Sequence, residues 1–480
     1  MDKLSFENYG LSDEVLKAIK NLGYKNPTEV QNKVLSNFKD NKDLIVKAQT
    51  GSGKTAAFGI PLCDKIEIEE KSPQVLVLTP TRELAIQVKD DISNIGRLKK
   101  IRVTAVYGKQ PIHIQERNLK QRIHIIAGTP GRTFDHIMKK NIVLDKIKYL
   151  VIDEADKMLS MGFIDEVESI IKKLPKDRVT MLFSATMPEK IQRICTKYMK
   201  EPKTIEIESN TLTVEKITQV YYEIEKENKF SLLNRIIYTE GIFSSIIFCN
   251  TREEVDYVGR SMRRKGFSSD VLHGGMEQRD RLEIMEKFKR GEFKYLVATD
   301  VAARGIHIDE LTHVINYEVP YEKESYVHRI GRTGRAGENG KAITFVTPHE
   351  YKFFNELIDY VNVPIEKIEE PSEDEFLKAK ELNEQEIMAK PKLKKNKNSQ
   401  VNKGISKIRI NSGKKKKIRP GDILGAISNM QGILPEDIGI IDVQDTMSHV
   451  DILNNKGSIV AKQFATTKIK GKTVSARILR

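Results

Sequence analysis

The 480-residue chain is poor in the features that would place it in a membrane, in an oxidising compartment or around a structural metal. No stretch approaches the ~20 apolar residues that a membrane span needs. The start, Met1-Asp2-Lys3-Leu4-Ser5-Phe6-Glu7-Asn8-Tyr9-Gly10, has no apolar signal core. Three cysteines, Cys63, Cys195 and Cys249, lie too far apart for a disulfide framework or a zinc site and are expected as small buried apolar residues of a reducing, cytoplasmic setting. Acidic residues are outnumbered, 67 Asp and Glu against 81 Lys and Arg, and the resulting net charge of +14 favours a polyanionic partner such as nucleic acid. With 39% hydrophobic residues the chain can build two or three domains with real cores.

Against that background two segments stand out. Leu44-Ile45-Val46 runs into Ala48-Gln49-Thr50-Gly51-Ser52-Gly53-Lys54-Thr55, the pattern of a strand turning through a glycine-rich loop into a helix. Backbone N–H groups of Gln49 to Gly53 and the helix N-terminus would surround phosphates, Lys54 would reach the β/γ-phosphates, and Thr55 would hold Mg²⁺. About a hundred residues on, Val151-Ile152 leads into Asp153-Glu154-Ala155-Asp156. Asp153 is placed beside the metal and Glu154 beside an attacking water. Ala48 stands where the general pattern has glycine, but the order and spacing of the two segments indicate nucleoside triphosphate hydrolysis.

Short apolar runs alternate with helical patterns: Leu44 to Val46, Val75 to Leu78, Ile101 to Val106, Ile123 to Ala127, Tyr149 to Ile152 and Thr180 to Phe183. This is a parallel α/β pattern. A second such series runs through Ser245 to Phe248, Ser268 to Leu272, Tyr295 to Ala298, His313 to Ile315 and Ala342 to Phe345, without a phosphate loop of its own. Glu201-Pro202-Lys203 and Glu208-Ser209-Asn210 mark a linker, and a nucleotide is expected between the two domains, at strand carboxyl ends. The domains are set at 1–204 and 213–365, followed by a charged linker at 366–403, an exposed helix and then a flexible tether. Residues 404–480 read as strand, helix, two strands, helix, strand. They carry fourteen Lys and Arg against six Asp and Glu, so that +8 of the chain's +14 lies there. Phe464, on a helix, is their sole aromatic, which excludes the usual stacking of bases on sheet aromatics and leaves electrostatic and shape recognition through Lys407, Arg409, Lys415, Lys416, Arg419 and Lys470.

Some ten short motifs over roughly residues 1 to 365 occur in the order found in DEAD-box RNA helicases, and the chain resembles that family. The resemblance implies two RecA-like parallel-sheet domains in tandem, ATP and Mg²⁺ as cofactors, and separation of short RNA duplexes. Gly23-Tyr24-Lys25-Asn26-Pro27-Thr28-Glu29-Val30-Gln31 is similar to the Q motif, which implies that Gln31 selects adenine and that Phe6 upstream stacks on it. Pro80-Thr81-Arg82 and Thr129-Pro130-Gly131-Arg132 resemble RNA-contacting motifs, and Ser184-Ala185-Thr186 the coupling motif. Arg252, Gly274-Gly275 and Thr299-Asp300 resemble the remaining RNA and coupling elements. His328-Arg329-Ile330-Gly331-Arg332-Thr333-Gly334-Arg335 resembles the arginine-finger motif, with Arg332 and Arg335 set to neutralise γ-phosphate charge. The chain departs from the family at Gly108-Lys109, where Gly-Gly is usual, and at Arg304-Gly305-Ile306-His307, where the family has Asp for His307.

Residues 404–480 resemble the C-terminal RNA-binding domain of the DbpA-type subfamily, an RRM-like βαββαβ unit. That resemblance implies binding to a hairpin of bacterial large-subunit (23S) ribosomal RNA, contact with pre-ribosomal particles, and a role in large-subunit assembly by a monomer. Other readings of the same residues are a general RNA helicase, an ATP-gated RNA clamp, a DNA helicase, since phosphate contacts do not distinguish the sugar, and a C-terminal unit that docks on protein.

Overall fold

The computed structural model describes residues 5–38, 42–48, 51–207, 217–300, 311–334, 340–361, 363–391, 393 and 404–479. Gln49, Thr50, His307 and Arg335 lie outside them. Three main sheets organise the described residues.

The first contains β1 (Leu44–Lys47), β2 (Val75–Leu78), β3 (Val103–Val106), β4 (Ile125–Gly128), β5 (Tyr149–Ile152), β6 (Val179–Ser184) and β7 (Lys203–Glu206). All strands are parallel, in the order β3-β4-β2-β5-β6-β1-β7. Both faces are buried, which explains why these strands are continuous apolar runs and not alternating ones. Leu44, Val46, Val75 and Val77 face one core, and Ile45, Leu76 and Leu78 face the other. The segment expected as a linker at Lys203 is in fact the edge strand β7, which pairs with β1. Its sequence, Lys-Thr-Ile-Glu, buries Ile205 and leaves its neighbours in water, the composition that guards an exposed sheet edge.

The second sheet contains β8 (Ile217–Glu223), β9 (Ser245–Cys249), β10 (Ser269–Leu272), β11 (Tyr295–Thr299), β12 (His313–Asn316), β13 (Gly340–Val346) and β14 (Glu366–Lys367), in the order β10-β11-β9-β12-β13-β8-β14. It too is parallel throughout. The charged segment expected as a linker begins with β14 and continues as a helix, Glu373–Met388, opened by a capping box between Ser372 and Glu375. That helix is not exposed on all sides, as expected, but packs into the second core through Phe376, Ala379 and fully buried Ile387. Lys294 Nζ donates to the carbonyls of Glu386 and Ile387, Asn383 donates to the Tyr238 carbonyl, and Arg235 pairs with Glu373 at 2.7 Å.

The C-terminal sheet contains β15 (Ser406–Ile410), β16 (Ile438–Val443), β17 (Ser448–Ile452) and β20 (Ala476–Ile478), antiparallel, in the order β16-β17-β15-β20. The helices Pro420–Ser428 and Gly457–Gln463 complete the expected βαββαβ order. The single last strand expected from Lys472 is divided, with a two-stranded hairpin of β18 (Lys468–Ile469) and β19 (Lys472–Thr473) preceding β20. Phe464 is buried in this unit's core.

Cys63, Cys195 and Cys249 are free and buried, and burial raises all three thiols. No helix among the described residues is long and apolar enough to cross a membrane.

One buried histidine couples this fold to pH. His124, just before β4, accepts the Arg102 backbone N–H at Nδ1 (2.9 Å), and its Nε2 lies 3.2 Å from the Ile68 carbonyl, so the neutral ring is satisfied at both nitrogens. Burial pushes its pKa down to about 4. An unfolded histidine takes up its proton near 6.5, so this contribution to stability is complete above that pH and is lost as pH falls toward 4. His124→Gln is expected to flatten the loss of stability between pH 6.5 and 4 in denaturant titrations. An unchanged acid limb would show that His124 does not set it.

Candidate active site

The parallel register delivers the first site. β6 pairs with β1, Ser184 opposite Lys47, and with β5, Leu182 opposite Ile152, so the loops after all three strands open at one end of the sheet. Such carboxyl ends are where ligands bind in folds of this kind. After β1 the chain turns through Gly51 (φ +88) and Gly53 (φ +93) into the helix Lys54–Lys65. Gly53 is required twice over, by its left-handed backbone and by space: a Cβ there would stand 2.7 Å from Gln31 Nε2.

Lys54 is 7% exposed and its Nζ donates to the Ala48 carbonyl at 3.1 Å, folded over the loop that precedes it. Ser52 and Thr55 are half-buried beside it. Asp153 is 3% exposed, and its Oδ1 is buried without a hydrogen-bond partner among the described residues. Burial raises the Asp153 carboxyl, with Lys54 pulling the other way. A buried carboxylate oxygen lacking a donor suits a hard divalent cation such as Mg²⁺, and the Thr55 hydroxyl, at the start of the helix after the phosphate loop, is a further oxygen of the kind such a cation takes.

Glu154 has φ +55, a left-handed conformation that a glutamate adopts at a cost and that is found at functional turns. Its carboxylate is buried against Lys157 Nζ at 2.9 Å. Asp156 joins this loop to the one after β6. Its Oδ2 accepts from the Ala185 N–H (3.1 Å), the Thr186 N–H (2.9 Å) and the Thr186 hydroxyl (3.2 Å), while its own N–H donates to Ser184 Oγ (3.1 Å). Any shift of one loop must therefore move the other. The sequence marks no role for Asp156 or Lys157, since a charged helix start is commonly solvated.

In this structure the Q-motif residues are engaged within the protein. Gln31 is 1% exposed, and its amide is engaged inside the protein: Oε1 accepts the Thr28 N–H at 3.0 Å and Nε2 donates to the Gly53 carbonyl at 3.3 Å. Thr28 Oγ1 donates to the Ser52 carbonyl. Gln31 thus braces the phosphate loop in this structure. Phe6, expected to stack on a base, is 4% exposed and belongs to the core. It meets the ring of Tyr24 edge-on, centroids 6.3 Å apart, and Tyr24 is 36% exposed. Of the two aromatics, Tyr24 is the more exposed. Its place within the motif, four residues before Thr28, was the available signal.

On the same end of the sheet, the segments after β2, β3 and β4 come together. Pro80 and Thr81 are buried, and Thr81 Oγ1 caps the helix Arg82–Ile95 by accepting the Leu84 N–H. Arg82 lies against Gly108, whose Cβ would stand 3.5 Å from Arg82 Nε. Thr129 is nearly buried, and Arg132 Nη1 donates to the Gln110 carbonyl at 2.9 Å.

In the second α/β unit Arg329, 1% exposed, is the centre. It pairs bidentately with Asp300 (2.5 and 2.7 Å), donates to Asn250 Oδ1 and the Glu318 carbonyl at 2.8 Å each, and sits 5.3 Å from the Phe248 ring. It ties the ends of β9, β11 and β12 to the helix Lys323–Ile330, which carries His328. Within the motif, nothing in the sequence sets Arg329 apart from Arg332 and Arg335. Arg332 follows that helix at 3% exposure, Thr299 is nearly buried, and Arg252 and Gly275 are exposed.

In the C-terminal unit Lys407, Lys415, Lys416, Arg419 and Lys470 are exposed and Arg409 is half-buried. Lys470 Nζ donates to the Lys417 carbonyl and pairs with Asp422 at 2.9 Å, which brings the β18–β19 hairpin against the Lys414–Lys416 turn.

A phosphate loop, a buried acidic pair and a hydroxyl motif at one end of a parallel sheet, followed by a second parallel-sheet unit and a small antiparallel one, define a two-domain P-loop NTPase with an appended binding module. Residues 28–194 match the DEAD/DEAH box helicase family, residues 228–337 the helicase conserved C-terminal domain, and residues 407–478 the DbpA RNA binding domain. The chain is 51% identical to the ATP-dependent RNA helicase DbpA of Bacillus subtilis (strain 168), over 97% of this chain and 98% of that protein. It is 44% identical to the DEAD-box ATP-dependent RNA helicase CshA of Geobacillus kaustophilus, covering 78% and 81% of the two. Among solved structures it is similar to S. cerevisiae Dbp5 bound to RNA and ADP BeF3 (TM-score 0.70, 31% identity, 79% of this chain and 99% of that one). It is also similar to Mss116p bound to ssRNA and AMP-PNP (TM-score 0.67, 28% identity, 80% and 82%). The chain belongs to the DEAD-box ATP-dependent RNA helicases, of the type that carries a DbpA RNA-binding domain.

Two outcomes follow from this geometry. Phe6→Ala is expected to destabilise the first unit by ~3 kcal/mol, whereas Tyr24→Ala leaves stability unchanged and weakens ATP binding about fivefold or more. The reverse pattern would return the stacking role to Phe6. Arg329→Ala, which strands Asp300, is expected to cost the second unit ~3 kcal/mol in denaturant titrations.

Proposed function

We propose that the enzyme locally unwinds short RNA duplexes and is directed by its C-terminal unit to a hairpin of 23S ribosomal RNA during assembly of the large ribosomal subunit. The observation that carries the address is the C-terminal unit itself: +8 of net charge on a βαββαβ sandwich without a sheet aromatic, in a chain similar over nearly its whole length to a DbpA helicase. Such a surface favours phosphate and shape recognition over base stacking. Lys407, Arg409, Lys415, Lys416, Arg419 and Lys470 are the proposed contacts. The proposed setting is a cytoplasmic monomer acting on pre-ribosomal particles.

In the hydrolytic step, Lys54 and the N–H groups of Gln49 to Gly53 bind the triphosphate of ATP. Thr55 and Asp153 are the residues that would hold Mg²⁺, which when bound neutralises phosphate charge. Glu154 takes the proton of the attacking water, and Arg332 with Arg335 counters charge on the γ-phosphate. In the ground state Lys54 must exchange the Ala48 carbonyl for phosphate, and Glu154 must exchange Lys157 for water. Pro80, Thr81, Arg82, Thr129, Arg132, Arg252, Gly275, Thr299 and His328 contact or sense RNA. The Asp156 bridge to Ser184-Ala185-Thr186 carries the state of the nucleotide to that surface. Because ATP and RNA favour the same state, each tightens the other's binding by one factor.

The test is steady-state ATP hydrolysis by the full chain and by a truncation after Met388, which keeps the helix that completes the second core. Activators are a large-subunit rRNA hairpin, unrelated RNA and DNA of equal length. The hairpin is expected to activate the full chain at far lower concentration than the others, and truncation to remove that preference while Lys54→Ala abolishes hydrolysis. Equal activation by all RNAs would leave a general RNA helicase, activation by DNA would remove the RNA preference, and binding without turnover would leave an ATP-gated clamp.

A further inference from the structure

One face of the C-terminal sheet packs its own core, and the other is in contact with the first α/β unit. Ile441, Val443, Val450 and Ile452 point into the core of the C-terminal unit, so Asp442 and Asp451, which alternate with them along β16 and β17, point the other way. Asp451 is nevertheless buried. Its Oδ2 pairs with Arg97 Nη2 at 3.2 Å, and both side chains of that pair are largely shielded from water. Beside it, Arg102 Nη2 donates to the Ile441 carbonyl on the edge strand β16. Burial disfavours the Arg102 charge, and the Asp442 carboxylate favours it.

Charge and placement both suit this contact. Residues 404–480 hold six acidic residues, and two of them stand on this face, where they attract arginine and repel the phosphates of RNA. On the other side, Arg97 follows the helix Arg82–Ile95 and Arg102 precedes β3. Both therefore lie toward the amino ends of the parallel strands, away from the carboxyl ends that carry the phosphate loop and Asp153-Glu154. Lys407, Lys415, Lys416, Arg419 and Lys470 remain exposed with the C-terminal unit in this position.

We infer that the acidic face of the C-terminal unit is a docking surface for the first α/β unit of the same chain, closed by Arg97 on Asp451 and Arg102 on Ile441, and that it holds the RNA-binding unit at one place on the helicase core. RNA gripped by the exposed lysines is then presented to the core from a fixed position, which raises its effective concentration there. That consequence rests on the proposed binding of a hairpin by this unit, whereas the docking does not. Because the Arg97–Asp451 pair is largely buried, reversing one charge places two like charges in contact and opens the surface, and reversing both closes it again.

The test uses the full chain, with dyes on Lys120→Cys in the first unit and Lys462→Cys in the C-terminal unit, both exposed positions, while the natural cysteines are buried. Energy transfer between the dyes is expected to fall in Arg97→Glu and in Asp451→Arg, and to return when the two reversals are combined. The concentration of an rRNA hairpin with a single-stranded extension that gives half-maximal ATP hydrolysis is expected to rise ~tenfold in Arg97→Glu and to recover in the combined variant. The hairpin alone is expected to bind Arg97→Glu as tightly as the unaltered protein. Energy transfer that neither single reversal changes, or that the combined variant does not recover, would overturn the docking. Tighter hairpin binding by Arg97→Glu would show that the contact competes with RNA, and unchanged activation that it positions nothing; either result overturns the role. If the hairpin activates the unaltered protein no better than unrelated RNA, the ribosomal address fails while energy transfer still reads the docking.

Discussion

The parallel pairing of β6 between β1 and β5 is the constraint on which the nucleotide site depends. A parallel register makes the three strands end together, and each ends in a different functional segment: the phosphate loop, Asp153-Glu154, and Ser184-Ala185-Thr186. None of these segments has a stable conformation of its own. The left-handed Glu154 and the twin left-handed glycines 51 and 53 are held because strands buried on both faces leave no freedom in the register.

Around that frame, polar side chains in the first unit are used for internal bracing as much as for ligands. Gln31 ties the second helix to the phosphate loop, Lys54 bonds the carbonyl of Ala48, Lys157 holds Glu154, and Asp156 ties one loop to the next. Buried polar groups left without partners are costly, so a site waiting for a highly charged ligand satisfies itself internally. Asp153 Oδ1 is an exception, and it is the atom whose natural partner is a cation. The same logic applies in the second unit, where Arg329 gathers three loop ends through one guanidinium.

The elements hardest to foresee were those stabilised by neighbours and not by their own sequence. β7 and β14 are charged edge strands with little apolar content, and the helix Glu373–Met388 presents a composition suited to water. Their place is set by a few buried groups, Ile205 in one case and Ile387 with Phe376 in the other. By contrast the central strands were legible almost to the residue, because burial on both faces demands unbroken Val, Ile and Leu. The C-terminal unit was legible in its order of elements but not in its last strand, which a left-handed Lys470-Gly471 turn folds into a hairpin first.

Sequence by itself determined the catalytic chemistry, since a lysine and a hydroxyl after a glycine turn, and an acidic pair after a buried strand, admit few uses. It also determined the class of fold, through the alternation of apolar runs with helical patterns. Only the tertiary structure decided that Phe6 lies in the core while Tyr24 is more exposed, that Gln31 is engaged with the phosphate loop, and that Asp156 ties the loop after β5 to the loop after β6. The physical reason is the same in each case. Residue type states what a side chain can do, but exposure and partners are properties of the packed chain, set by contacts between segments far apart in sequence.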